Sequence, residues 1–199
     1  IKRVPLTTFK AQNRGGKGVI GVKSREEDEA SDIFSGSTHD LFLFFTNQGN
    51  LLKKKGYEIP LSSRTNKGIH TANLLALSPD EKVSSTINLR TLDSDGYFVM
   101  ITKNGLIKRS EIREYDTSLR KRGLKALTLR EDDELVQVLN TTGENDLVLV
   151  TANGMAVRYT EANVRSVGRV GLGVRSMNLA ASDSIVSMLK IDPNTETDV

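Results

Sequence analysis

The sequence predicts an all-β, propeller-like fold of four-stranded blades, with about four repeats present as a partial disc or open arc. Three observations predict it: a repeat near fifty residues long, apolar runs that break at glycine-containing turns, and no helical periodicity of useful length. The repeat is marked first by glycines followed by an aliphatic residue, at Gly18-Val19, Gly68-Ile69, Gly123-Leu124 and Gly171-Leu172. In the first three a base precedes the glycine: Lys17, Lys67 and Arg122. A second marker is an apolar run ending in threonine ahead of a turn, at Thr46 before Asn47-Gln48-Gly49, Thr102 before Lys103-Asn104-Gly105 and Thr151 before Ala152-Asn153-Gly154. The third sets a leucine six residues ahead of an aliphatic residue across a polar turn: Leu77 and Val83, Leu129 and Leu135, Leu179 and Ile185.

Each unit then divides into four strands. The apolar run is the first, and the Asn-Gly type of turn supplies the positive backbone angles that return it as a hairpin. The second strand is a segment such as residues 106–109. A basic loop leads to a third strand carrying Leu124, Ala126 and Leu127, and an acidic turn over 131–134 leads to the fourth at 135–139. Four strands in a repeat of this length make a blade. The units fall at 1–37, 38–90, 91–140 and 141–199, within a single domain spanning 1–199. Because Ile1-Lys2-Arg3 matches Ile107-Lys108-Arg109, the first unit begins on its second strand, and the chain is expected to be a fragment of a longer polypeptide.

Composition excludes several classes. No apolar run approaches a membrane span and there is no secretory signal. With no cysteine there are no disulfides or thiolate metal sites, which fits a reducing, cytoplasmic setting. The absence of tryptophan speaks against the propeller families built on Trp-Asp pairs. Gly15-Gly16-Lys17-Gly18 lacks the Ser or Thr that a phosphate loop uses to hold Mg²⁺, and no helix pattern follows. The glycines from Gly168 to Gly173 lack the strand, helix and acidic partner of a dinucleotide fingerprint. His39 and His70 are far apart with no cysteine between them, and the carboxylates at 26–29 suit a solvated turn. No catalytic residue, metal site or cofactor site is expected in this chain, and Tyr57, Tyr97, Tyr115 and Tyr159 read as structural.

Charge is where the repeat becomes functional. The second strands and basic loops, residues 2–17, 53–67, 108–125 and 158–175, hold 21 of the 28 Lys and Arg but 5 of the 25 Asp and Glu. The remaining residues carry a net negative charge, concentrated in the turns at 26–29, 80–81 and 131–134. Ordinary solvation has no reason to sort charge by sign in every unit. Equivalent elements occupy equivalent places, so the bases should form a band on one rim, with Lys54, Lys108 and Arg158 facing one way. Lys53, Lys54, Lys55, Lys108, Arg109 and Arg158 fall on second strands; Arg64, Lys67, Arg120, Lys121, Arg122, Arg165 and Arg169 fall on the loops. A basic band on a rigid curved surface matches a polyanion such as duplex DNA, bound through phosphates without base readout.

One loop carries a resemblance. Gln12, Asn13, Arg14, Gly15, Gly16, Lys17 and Gly18 resemble, at six of seven positions, the Gln-Arg-Arg-Gly-Gly-Lys-Gly box of the gyrase A family. The segments Ile1-Lys2-Arg3, Thr38-His39-Asp40 and Lys67-Gly68-Ile69 are similar too, and the likeness to that family's C-terminal β-pinwheel covers essentially the whole chain. The resemblance implies a disc in which strands are exchanged between neighbouring blades and double-stranded DNA is wrapped around a basic rim, so that the DNA gyrase holoenzyme introduces negative supercoils. It assigns DNA contact to the seven box residues, with Asn13 replacing an arginine. It also implies partners outside this chain, the gyrase A N-terminal breakage-reunion domain and gyrase B, and confines ATP and Mg²⁺ to that complex. The corresponding protein of topoisomerase IV shares the blades but generally lacks an intact box. The other alternative is a propeller scaffold that binds an acidic protein partner.

Overall fold

In a computed structural model, residues 1–18, 32–117 and 123–193 are described. They form strands β1 (Leu41–Thr46), β2 (Asn50–Lys55), β3 (Val83–Leu89), β4 (Tyr97–Thr102), β5 (Leu106–Glu111), β6 (Leu124–Lys125), β7 (Leu135–Thr141), β8 (Asp146–Thr151), β9 (Ala156–Thr160), β10 (Val174–Arg175) and β11 (Ile185–Ile191). One short helix, α1 (Thr71–Leu75), and several single 3-10 turns complete the described elements. The strands build three antiparallel sheets, ordered β3-β1-β2-β6, β10-β5-β4-β7 and β11-β8-β9.

The threonine marker has a direct structural cause. Thr46 Oγ1 accepts the Asn50 N–H at 3.2 Å, Thr102 Oγ1 the Leu106 N–H at 3.0 Å, and Thr151 Oγ1 the Met155 N–H at 3.2 Å. Each hydroxyl thereby closes a hairpin whose glycine has a positive φ: 76° at Gly49, 80° at Gly105 and 82° at Gly154. The acidic turns lock onto the same hairpins. Asp133 Oδ1 accepts the Asn104 N–H at 2.9 Å, and Asp183 Oδ1 accepts that of Asn153 at 3.1 Å. In the first sheet Glu81 takes over, bonding the Thr46 hydroxyl at 2.7 Å and the Asn50 amide at 2.8 Å. The acidic turns at 80–81 and 131–134 therefore lie on the hairpin side of the array, and that at 26–29 lies outside the described residues.

The third strand is the exchanged one, as the resemblance implies, although patterning within the unit does not give its destination. It is only two residues long and leaves its own unit: β6 pairs with β2 through Leu51↔Leu124, and β10 pairs with β5 through Val174↔Ile107. The fourth strands β3, β7 and β11 stay at home, on the first strands β1, β4 and β8. In the second unit the segment after Gly68 pairs with Ile1 through two bonds, Ile69 N–H to Ile1 O at 2.9 Å and the Ile1 amino group to Ile69 O at 2.6 Å, and then turns into α1. The exchange also corrects the glycine register of the last unit. Gly173, not Gly171, precedes the strand that pairs with the neighbouring sheet. A Cβ on Gly173 would lie 2.6 Å from the Ile107 carbonyl oxygen, as one on Gly68 would from that of Ile1, so both sites need glycine for close backbone approach.

Sheets stack through their apolar faces. One core joins the first two sheets around Leu43, Phe45, Phe98, Met100 and Tyr115, with the Phe45 and Phe98 rings 5.4 Å apart. A second core joins the last two through Val99, Ile101, Leu147, Leu149 and Met188. Each such large side chain contributes about 1.5–3 kcal/mol on burial. The fourth strands also bond one another: Ser85 Oγ accepts the Val138 N–H at 2.9 Å, and Gln137 Oε1 accepts the Met188 N–H at 2.8 Å. The packed fourth strands mark the inner side of the array. The exchanged strands β6 and β10, at the opposite sheet edge, mark its perimeter.

Candidate nucleic-acid interface

The basic loop of the last unit begins at the end of β9 and finishes at β10, so it crosses the perimeter between two sheets, and that of the second unit runs from β2 to the segment that bonds Ile1. Parallel bridges Arg3↔Leu61 and Arg109↔Ser166 place the loops 59–68 and 164–173 in one register. Arg64 then matches Arg169, and Gly68 matches Gly173. The same register, carried back along the sequence, matches Arg14 with Arg64 and Lys17 with Lys67. In this sequence register the box is the first unit's copy of the repeated basic loop.

All seven box residues are exposed. The Gly16 N–H donates to Asn13 O at 2.9 Å, Gly15 has φ +91°, and a Cβ on Gly16 would lie 2.6 Å from Gln12 Oε1. The two glycines make a turn that a side chain would open, leaving Arg14 and Lys17 on its surface. Among the other loop bases, Lys67 and Arg165 are exposed and Arg64 is half-buried. Arg169 is half-buried too, donating from Nη1 to Lys125 O at 2.5 Å while its own N–H donates to Glu114 Oε2 at 2.5 Å. Arg120, Lys121 and Arg122 lie outside the described residues.

The second-strand bases are mostly used within the fold. Lys53 donates to the carbonyls of Tyr115 and of Thr117, the latter at 3.2 Å. Burial lowers the pKa of its ammonium, with Asp116 opposing and Arg169 assisting. Lys54 forms a partly exposed ion pair with Glu58 at 3.6 Å, and Lys55 donates to His39 O at 3.2 Å. Arg109 lies over the Tyr97 ring, 4.5 Å from its centroid, and Arg158 pairs with Asp146 at 2.8 Å. Lys108 requires a correction. It is 1% exposed and cannot reach a phosphate on the rim. Strand pairing explains why: Arg109 sits opposite Val99 as Lys53 sits opposite Leu43 and Arg158 opposite Val148, so Lys53, Arg109 and Arg158 are the equivalent set. Lys108, opposite Met100, turns to the other face and into the core. Strict alternation around Lys108-Arg109 was the signal that could have separated them. No sequence signal pointed to Glu114 or Tyr97, which reach the loop bases only through the fold.

The family profile described as DNA gyrase C-terminal domain, beta-propeller, matches residues 1–36, 40–89, 96–142 and 145–192. The chain belongs to this family. It is 40% identical over its full length to the gyrase A protein of Staphylococcus epidermidis, and 43% identical over 88% of its length to that of Clostridium acetobutylicum. It spans only 22% and 21% of those relatives. Among solved structures it is similar to the C-terminal domain of DNA topoisomerase IV, with TM-score 0.81 and 33% identity over 96% of this chain and 58% of that one. A DNA gyrase A C-terminal domain shares the fold with TM-score 0.65 and 23% identity, over 95% of this chain and 60% of that one. The all-β, propeller-like pinwheel architecture is therefore that of the gyrase C-terminal domain family. Among the described residues, no His, Asp and Glu cluster could hold a metal, and no helix is long and apolar enough to cross a membrane.

Proposed function

We propose that this chain, as one domain over 1–199, binds duplex DNA without sequence preference, wraps it around its perimeter, and so enables a gyrase-type topoisomerase to introduce negative supercoils. The single observation that supports the reading is the repeated basic loop, which carries Arg14 and Lys17 in the first unit, Arg64 and Lys67 in the second, and Arg165 and Arg169 in the last. Phosphates are the matching ligand, since loop cations with no recognition helix neutralise a backbone and read no base edge. The chain does no chemistry itself. ATP, Mg²⁺, strand breakage, the gyrase A breakage-reunion domain and gyrase B belong to the parent complex, in the bacterial cytoplasm. Structural similarity to the topoisomerase IV domain favours that enzyme as a second reading, and the box separates the two. The test is to ligate a singly nicked plasmid with increasing amounts of the chain and measure linking number. A progressive, single-signed shift supports wrapping. Binding with no shift refutes it, and no binding favours an acidic protein partner.

A further inference from the structure

The geometry points to Lys108 and Lys2 as positioning residues: each ammonium grips the carbonyl of the loop arginine in the following unit, and so presents the guanidinium of Arg169 or Arg64 to a phosphate. This rests on the duplex-binding reading above. Lys108 Nζ donates to Arg169 O, to Ala126 O at 2.6 Å and to Tyr115 Oη at 3.4 Å. Lys2 Nζ repeats the contact, donating to Arg64 O at 2.6 Å, Asn66 O at 2.9 Å and Ser63 O at 3.2 Å. Two junctions thus use one device at one register position. At the junction between them the position holds Leu52, and the neighbouring Lys53 grips Tyr115 O and Thr117 O instead.

The rest of the 164–173 loop is fixed around this grip. Ser110 Oγ donates to Val167 O and Thr128 Oγ1 to Val170 O, both at 2.7 Å, while Glu114 holds the Arg169 N–H. With its backbone pinned on three sides, Arg169 spends one N–H on Lys125 O and keeps other donors for a ligand. An ammonium in a core is costly: burial pushes the Lys108 pKa down to about 8, with Glu114 pulling up and Arg169 pushing down. A methionine of similar length would fill the same space without that cost. What the lysine adds is its hold on the carbonyl, which keeps the loop ordered before DNA arrives.

The test is a double-mutant cycle in the full chain with K108M and R169Q, measuring affinity for a random-sequence duplex by fluorescence anisotropy. Either change alone should weaken binding roughly tenfold, as loss of one charge-assisted hydrogen bond does. The double variant should bind no more weakly than R169Q, because Lys108 acts only through Arg169. Additive losses would overturn the proposal. Amide exchange in K108M should quicken at Val167 and Arg169 and stay unchanged in β4; loss of protection in β4 as well would make Lys108 a packing residue and overturn the proposal. Lys2 is only half-buried, so K2M with R64Q repeats the cycle without threatening the core. Absence of duplex binding by the unsubstituted chain would overturn both this proposal and the reading beneath it.

Discussion

Removing two perimeter charges, with Arg64→Ala and Lys67→Ala together, should change the salt dependence of DNA binding by an amount the structure sets. The repeated loop positions hold six cations that reach the surface among the described residues, Arg14, Lys17, Arg64, Lys67, Arg165 and Arg169. If each neutralises one phosphate, the slope of log affinity against log salt is about −5, and affinity falls about a thousandfold between 50 and 200 mM salt. The double variant should flatten the slope by about 2 and weaken binding to every sequence alike. Lys190→Ala is the control. It removes a charge of the same sign from β11 on the inner side, where Nζ bonds Asn140 O at 2.6 Å, and should leave the slope unchanged. The assay is anisotropy titration of a labelled duplex over a salt series. An unchanged slope in the loop variant, or an equal change from Lys190→Ala, would refute the placement of phosphates on the perimeter loops.

Gly173→Ala should cost about 1–3 kcal/mol, because its Cβ would press on the Ile107 backbone; a melting temperature several degrees lower checks this. Glu161 is fully buried and accepts the N–H groups of Gly143 and Asn145 at 2.9 and 2.8 Å and the Thr141 hydroxyl at 2.5 Å. Glu161→Leu should therefore lower stability by about 3 kcal/mol in denaturant titration, since three buried donors lose their acceptor. Lys108 gives a pH signature. Its folded pKa of about 8 lies below the ordinary 10.5, so the unfolded chain binds more protons between those values and stability from this group rises with pH across that window. K108M should remove that rise in a melting series at fixed salt; a persisting rise would place its source elsewhere.

The blades were legible in the sequence because their markers are local. Thr46, Thr102 and Thr151 bond within their own hairpins, and the glycines after them take backbone angles that other residues avoid. The destination of the third strand was not legible from patterning, since β6 and β10 are two residues long and their partners lie in another unit. That ambiguity also hid the two-residue offset between Gly171 and Gly173. Among the described residues, the loop bases Arg14, Lys17, Lys67 and Arg165 were legible because they follow a second strand in the repeat, and each is exposed. Lys108 and Arg109 are adjacent bases with opposite fates, which the pleat decides and composition cannot. Arg158 remained on the surface, but held by Asp146, a partner across the hairpin.

The most direct test of a handed wrap is in the parent enzyme. Replacing Gln12, Asn13, Arg14, Gly15, Gly16, Lys17 and Gly18 with alanine removes two exposed cations and the glycine turn that presents them. Bending a duplex this tightly costs on the order of several kcal/mol over a few helical turns, so the proposed wrap needs a clamp to hold it. On a topology gel with relaxed plasmid, ATP and matched enzyme concentrations, the alanine variant should lose negative supercoiling while keeping relaxation and decatenation. Supercoiling at the parental rate would contradict the assignment of the box as the clamp of the wrap.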